Sequence, residues 1–166
     1  MNLQEQTNRI KSIMGVSENT SAHQIMDIYN DWSGFNSREE AIEELDYLLN
    51  TDFPHGLNNI PENVTLYRVL ALDNNETINE DEIGEHFVAE PQICYTRSFL
   101  EKIGIWDYID NVNLFILTCK TNKDNINMNT TIGNRLLYPR ENEFTIDNPK
   151  NVKLISRKQI KLADID

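Results

Sequence analysis

The hydrophobic pattern changes period part-way along the chain, and that change limits the folds open to it. Up to about residue 50, apolar residues recur at three- and four-residue steps. Leu3, Ile10, Ile13 and Met14 form one set, and Ala22, Ile25, Met26, Tyr29 and Trp32 a second. Ile42, Leu45, Leu48 and Leu49 form a third, with Ser37 and Glu40 ahead of them as a capping-box signature. Each set falls on one face of a helix, so the pattern predicts three helices separated by residues 15–20 and 33–36. Pro54, Gly56 and Pro61 then break any helix.

Beyond them the pattern is that of strands. VTLYRVL at 64–70 and NLFILTCK at 113–120 have strand composition, and 143–146 and 152–157 alternate on either side of a turn at Asn148-Pro149. Residues 92–95 read as one more short strand, and 98–103 as a turn or short helix closing at Gly104. Residues 72–90, with seven acids and no Lys or Arg, read as loop with a short helix, and the Asn-rich stretch 121–131 as loop. Helices first and strands afterwards argue for an α+β domain rather than alternating βαβ units. At 166 residues the chain suits a single domain, 1–166, with a helical part over 1–61 and the remainder over 62–166.

Charge narrows the partners. Fifteen Lys+Arg against 27 Asp+Glu leave a formal net charge of -12, which works against broad contact with nucleic-acid phosphates. Lys150, Lys153, Arg157, Lys158 and Lys161 make a local basic strip, read as a solvated strand face. Hydrophobic content of 39% is too high for a disordered acidic chain. The apolar runs are too short to cross a membrane. The N-terminus has no basic region leading into an apolar one, so no secretory signal and a cytoplasmic location are expected. Cys94 and Cys119 stand far apart with no CxxC and no paired His, so no zinc or other metal is expected, and both read as core thiols. His23, His55 and His86 form no cluster.

Three short features could carry chemistry. Glu141-Asn142-Glu143 enters a late strand with both carboxylates on one face, because side chains alternate there. Carboxylates so close repel, which favours acid–base work; two solvated acids is the plainer reading. Arg68 sits mid-strand between apolar residues, where a charge asks for a partner and a guanidinium suits phosphate or carboxylate. Its alternative is an intramolecular salt bridge. Thr96-Arg97-Ser98 places two hydroxyls ahead of a helical turn, where capping is the competing use.

In that order the three features resemble the ADP-ribosyltransferase family, in its branch with Arg, Ser-Thr-Ser and Glu-x-Glu motifs. The resemblance covers about residues 62–160, and LLYPRENEFTI followed by VKLISRKQI is its most specific part. Thr96-Arg97-Ser98 departs from the usual Ser-Thr-Ser. The chain looks more like an intracellular or phage-encoded enzyme than an exported toxin.

The resemblance implies a two-sheet mixed β core that binds NAD and mono-ADP-ribosyl transfer with release of nicotinamide. Glu143 would stabilise the oxocarbenium-like transition state. Arg68 would hold the NAD phosphates, Thr96 and Ser98 would position Glu143 and the ribose, and Phe99 would stack on nicotinamide, with Trp106 and Tyr108 behind it. Glu141 implies a protein arginine as acceptor, since a guanidinium is a poor nucleophile until a carboxylate orients it and takes a proton. An NAD glycohydrolase of the same fold and a non-catalytic interaction module are the rival readings. Residues 1–61 carry none of the motifs and are expected to bury their apolar faces by packing.

Overall fold

The computed structural model describes residues 22–139 and 142–166. The first expected helix and Glu141 lie outside these residues. In chain order the regular elements are α1 (Ala22–Met26), α2 (Arg38–Asn50), β1 (Asn63–Leu72), β2 (His86–Val88), α3 (Arg97–Lys102), β3 (Asn113–Asn122), α4 (Met128–Leu137), β4 (Glu143–Thr145) and β5 (Lys153–Ile160). The chain divides into two compact units, Met1–Glu62 with Ile126–Thr145, and Asn63–Asn125 with Ile146–Asp166.

In the first unit, α2 begins where the capping signature puts it. Ser37 Oγ accepts from the Glu40 amide at 3.1 Å, and Glu40 Oε2 accepts from the Asn36 amide at 2.9 Å. The helix buries Ala41, Ile42, Leu45, Leu48 and Leu49, the face that the spacing predicts. α4 was not expected, since its start falls in the polar stretch read as loop. Asn127 Oδ1 caps it by accepting from the Thr130 amide at 2.9 Å, and Met128, Ile132 and Leu136 are buried at four-residue steps. Asn and Thr in its first turn hide that stripe. Arg135 of α4, nearly fully buried, lies 3.7 Å from Glu44 of α2. Burial pushes the Glu44 carboxyl up, against the pull of that guanidinium. β4 is clamped to the start of α4: the Thr145 amide donates to Thr131 Oγ1 at 3.1 Å, and the Asn127 amide to the Thr145 carbonyl at 2.8 Å.

In the second unit four strands form one antiparallel sheet in the order β2-β1-β3-β5. β1 and β3 pair along their whole length, from Asn63↔Asn122 to Leu72↔Asn113. Alternation sends Tyr67, Val69 and Ala71 to one face and Leu66, Arg68 and Leu70 to the other. On the Val69 face a core forms from Val69, Val88, Leu114, Ile116 and Ile160, covered by Cys94, Leu100 and Ile105. The α+β class expected from the sequence is the class observed. Residues 92–95, read as a short strand from their composition, lie instead in a short 3-10 turn over 91–95. Pro91 at its start has no amide to give a ladder and fixes φ for the turn. β2, only three residues long, emerges from the acidic stretch read as loop.

Candidate functional site

Asn142 starts the turn into β4 with φ +46, a left-handed conformation that Asn tolerates better than most residues. Glu143 and Thr145 then face the same way. Asn134, three residues beyond Thr131 and so on the same face of α4, meets them there. Its Nδ2 donates to Glu143 Oε1 at 3.0 Å and lies 3.4 Å from Thr145 Oγ1. Thr145 Oγ1 is itself 3.5 Å from Glu143 Oε1. The half-buried Glu143 carboxylate therefore has a fixed donor from a helix and a hydroxyl beside it.

Arg68 is held from β2 and the segment that leads into it. Its Nη1 donates to the His86 carbonyl at 2.7 Å, and its guanidinium carbon is 5.9 Å from the centre of the Phe87 ring. Gly84, at φ +89, lies against the same group: a Cβ there would come within 2.9 Å of Nη2. The Arg68 charge also pulls down the buried Cys119 thiol, although burial prevails and raises it to about 11. Cys94, buried on the other face, is pushed up to about 12.

The middle motif spends its groups locally. Thr96 Oγ1 donates to the Ile93 carbonyl at 2.9 Å and accepts from the Phe99 amide at 3.4 Å, capping α3. Ser98 is exposed in the first turn of that helix, and Phe99 is half-buried against the Val69 core. The Arg97 guanidinium sits 4.7 Å from the centre of the Trp106 ring, and Tyr108 is exposed. Phe99 thus packs on one face of the sheet while Arg68 leaves from the other. The structure brings Thr96 and Phe99 together through the cap, and does not bring Arg68 to them. Glu143 belongs to the first unit, and Arg68, Thr96, Ser98 and Phe99 to the second.

No family model, curated protein or solved structure matches this chain.

Asn134 and Thr145 are the polar partners that sequence reasoning missed. The signal available for Asn134 was the capping Asn127 followed by apolar residues at helical steps. In the basic strip, Lys153, Arg157 and Lys158 are exposed on β5, and Lys158 Nζ donates to Tyr95 Oη at 3.2 Å. Among the described residues no group of three or more His, Cys, Asp or Glu is placed to hold a metal ion, and no helix is long and apolar enough to cross a membrane.

Proposed function

We propose that the chain is a mono-ADP-ribosyltransferase that takes ADP-ribose from NAD and gives it to a protein arginine. The observation that carries this reading is the Glu143 carboxylate, half-buried and held at 3.0 Å by Asn134. Breaking the N-glycosidic bond sends its electron pair out with nicotinamide and leaves positive charge on the ribose, as in glycoside hydrolysis. A carboxylate already oriented toward that charge stabilises it without reorganising at the moment of reaction. An acceptor guanidine nitrogen then bonds to the anomeric carbon and gives its proton to a base, the role assigned to Glu141.

Arg68 carries five N–H donors in a fixed fork, a set suited to the NAD phosphates, with Nη1 engaged on His86. Thr96, Ser98 and Phe99 complete the proposed cofactor contacts by resemblance. The capping of Thr96 and the core packing of Phe99 compete with those roles. The two-sheet core of that family, a cytoplasmic location and an acceptor protein belong to the same proposal.

The experiment is incubation of the chain with NAD labelled in its ADP-ribose part and a bacterial lysate, following labelled protein and free nicotinamide. Wild type should label protein and release nicotinamide, and Glu143→Gln should do neither. Nicotinamide release without labelled protein would replace the transferase with a glycohydrolase. Absence of both, together with no binding of NAD, would leave an interaction module.

A further inference from the structure

We infer that Asn134 is the positioning residue for Glu143, an inference that rests on the transferase reading and goes beyond the motifs that suggested it. By resemblance, the hydroxyls of Thr96 and Ser98 were to orient this carboxylate. Thr96 is engaged in capping α3 instead, and Ser98 is exposed at that helix's first turn. Among the described residues, the Asn134 amide reaches Glu143, at 3.0 Å from Oε1.

The geometry around Asn134 is what a positioning role needs. Its helix is anchored on two sides, by Ile132 and Leu136, neither of which has any exposed surface, and by the Arg135–Glu44 pair. One turn earlier Thr131 holds the Thr145 amide, and Asn127 both caps the helix and binds the Thr145 carbonyl. The strand bearing Glu143 is thus fixed to the helix bearing Asn134 through hydrogen bonds of the Thr145 main chain, which involve the side chain of neither Glu143 nor Asn134. Against that rigid frame the amide sets where the carboxylate oxygen sits. Displacement of a reacting group by about 1 Å can cost about a hundredfold in rate, so a donor fixed on a rigid helix matters. Asn134 touches neither substrate nor reacting atom in this scheme and acts only through Glu143.

Asn134→Asp is the most direct test, because it keeps the shape of the side chain and replaces the donor by an oxygen. Wild type, Asn134→Asp, Asn134→Ala and Thr145→Val are compared for nicotinamide release from NAD, with kcat and KM separated and the folded fraction measured by circular dichroism. The expected result is a kcat lower by about ten- to a hundredfold in both Asn134 variants. Their KM for NAD should stay within about threefold of wild type, and the loss of kcat should exceed any loss of folded protein. A kcat within about twofold of wild type, or a loss that merely tracks the folded fraction, overturns the positioning role even if Glu143→Gln is inactive. A wild-type chain that releases no nicotinamide and labels no protein in the lysate, and does not bind NAD, overturns the transferase reading itself, and the inference with it. Thr145→Val keeps the test decisive should both Asn134 variants unfold. With its 3.5 Å contact to Oε1 removed, it should lower kcat less than loss of the amide but in the same sense, and an unchanged kcat there counts against the network.

Discussion

Substituting Gly84 by Ala tests how tightly Arg68 is held. The backbone at Gly84 has φ +89, where an L side chain costs about 1–2 kcal/mol. The added Cβ would also stand 2.9 Å from Nη2, 3.0 Å from Cζ and 3.1 Å from Nη1 of Arg68. Ordinary contacts lie near 3.5–4.0 Å, and forcing such overlap typically costs about 1–3 kcal/mol. The guanidinium cannot slide freely, because Nη1 is bonded to the His86 carbonyl at 2.7 Å. The sum is about 3 kcal/mol, or a fall of roughly 10 °C in Tm for a chain of this size.

Gly104 supplies the control. Its φ is +74, yet a Cβ there would meet nothing within 4 Å, so Gly104→Ala should lose only the backbone part, roughly 3–6 °C. Thermal unfolding of the two variants therefore separates strain from collision. The collision part should vanish when Gly84→Ala is made in an Arg68→Ala background, giving a coupling of about 1–3 kcal/mol in a double-mutant cycle. Equal losses at Gly84 and Gly104, or a Gly84→Ala cost that ignores Arg68, would refute the account of Arg68 as a clamped side chain.

Truncating Leu100, which has no exposed surface in the second unit's core, should cost about 2–5 kcal/mol in chemical denaturation, whatever the chain's activity. Burial raises Cys119 to about 11 and both Cys94 and Tyr29 to about 12, from ordinary values of 9.0 and 10.0. All three groups are neutral in both states below pH 9, and above it the unfolded chain ionises first. Their contribution to stability is therefore full below about pH 9 and is lost as pH rises through 11–12. Denaturation midpoints measured from pH 8 to 10.5 should fall on the alkaline side, and an aromatic-disulfide thiol reagent at pH 8 should label Cys94 and Cys119 only after unfolding. Glu141→Gln should keep nicotinamide release and lose most labelled protein in the NAD assay. Retention of full labelling would remove Glu141 from the acceptor step.

The elements with a clean period were mostly legible in the sequence, although the helix expected from Ala22 to Trp32 ends at Met26, and those built on polar residues were not. β1 and β3 announce themselves as runs of β-branched and aliphatic residues, β5 by the alternation over 152–157, and α2 by its cap and its Ala41–Leu49 face. β2 has three residues, too few for a period to register. Residues 92–95 have strand composition, but Pro91 ahead of them removes an amide that a strand would need and starts the turn instead. α4 has its apolar residues at four-residue steps, diluted by Asn129, Thr130, Thr131, Gly133 and Asn134, so its stretch reads as loop by composition. The boundary near residue 62 is visible in both sequence and structure. What composition does not reveal is that 126–145 returns to the helical unit.

The candidate site was half legible for a related reason. A charged side chain in an apolar strand is easy to find, because it breaks a pattern, and Arg68 was found that way. Three of the groups around it are hard to find, because a carbonyl at His86, a ring at Phe87 and the close approach of a glycine at 84 carry neither a charge nor a period. Glu143 repeats the case: the E-x-E pair stands out, whereas the amide that holds Glu143 is one Asn among many in an Asn-rich segment. Hydroxyls at Thr96 and Ser98 are the holders that the family resemblance implies. Yet a hydroxyl at the start of a helix has orphan amides within reach, and it satisfies those first. The cap therefore competes with any longer-range role for Thr96, while an Asn inside α4, where the backbone amides are already bonded, has its side chain available for Glu143.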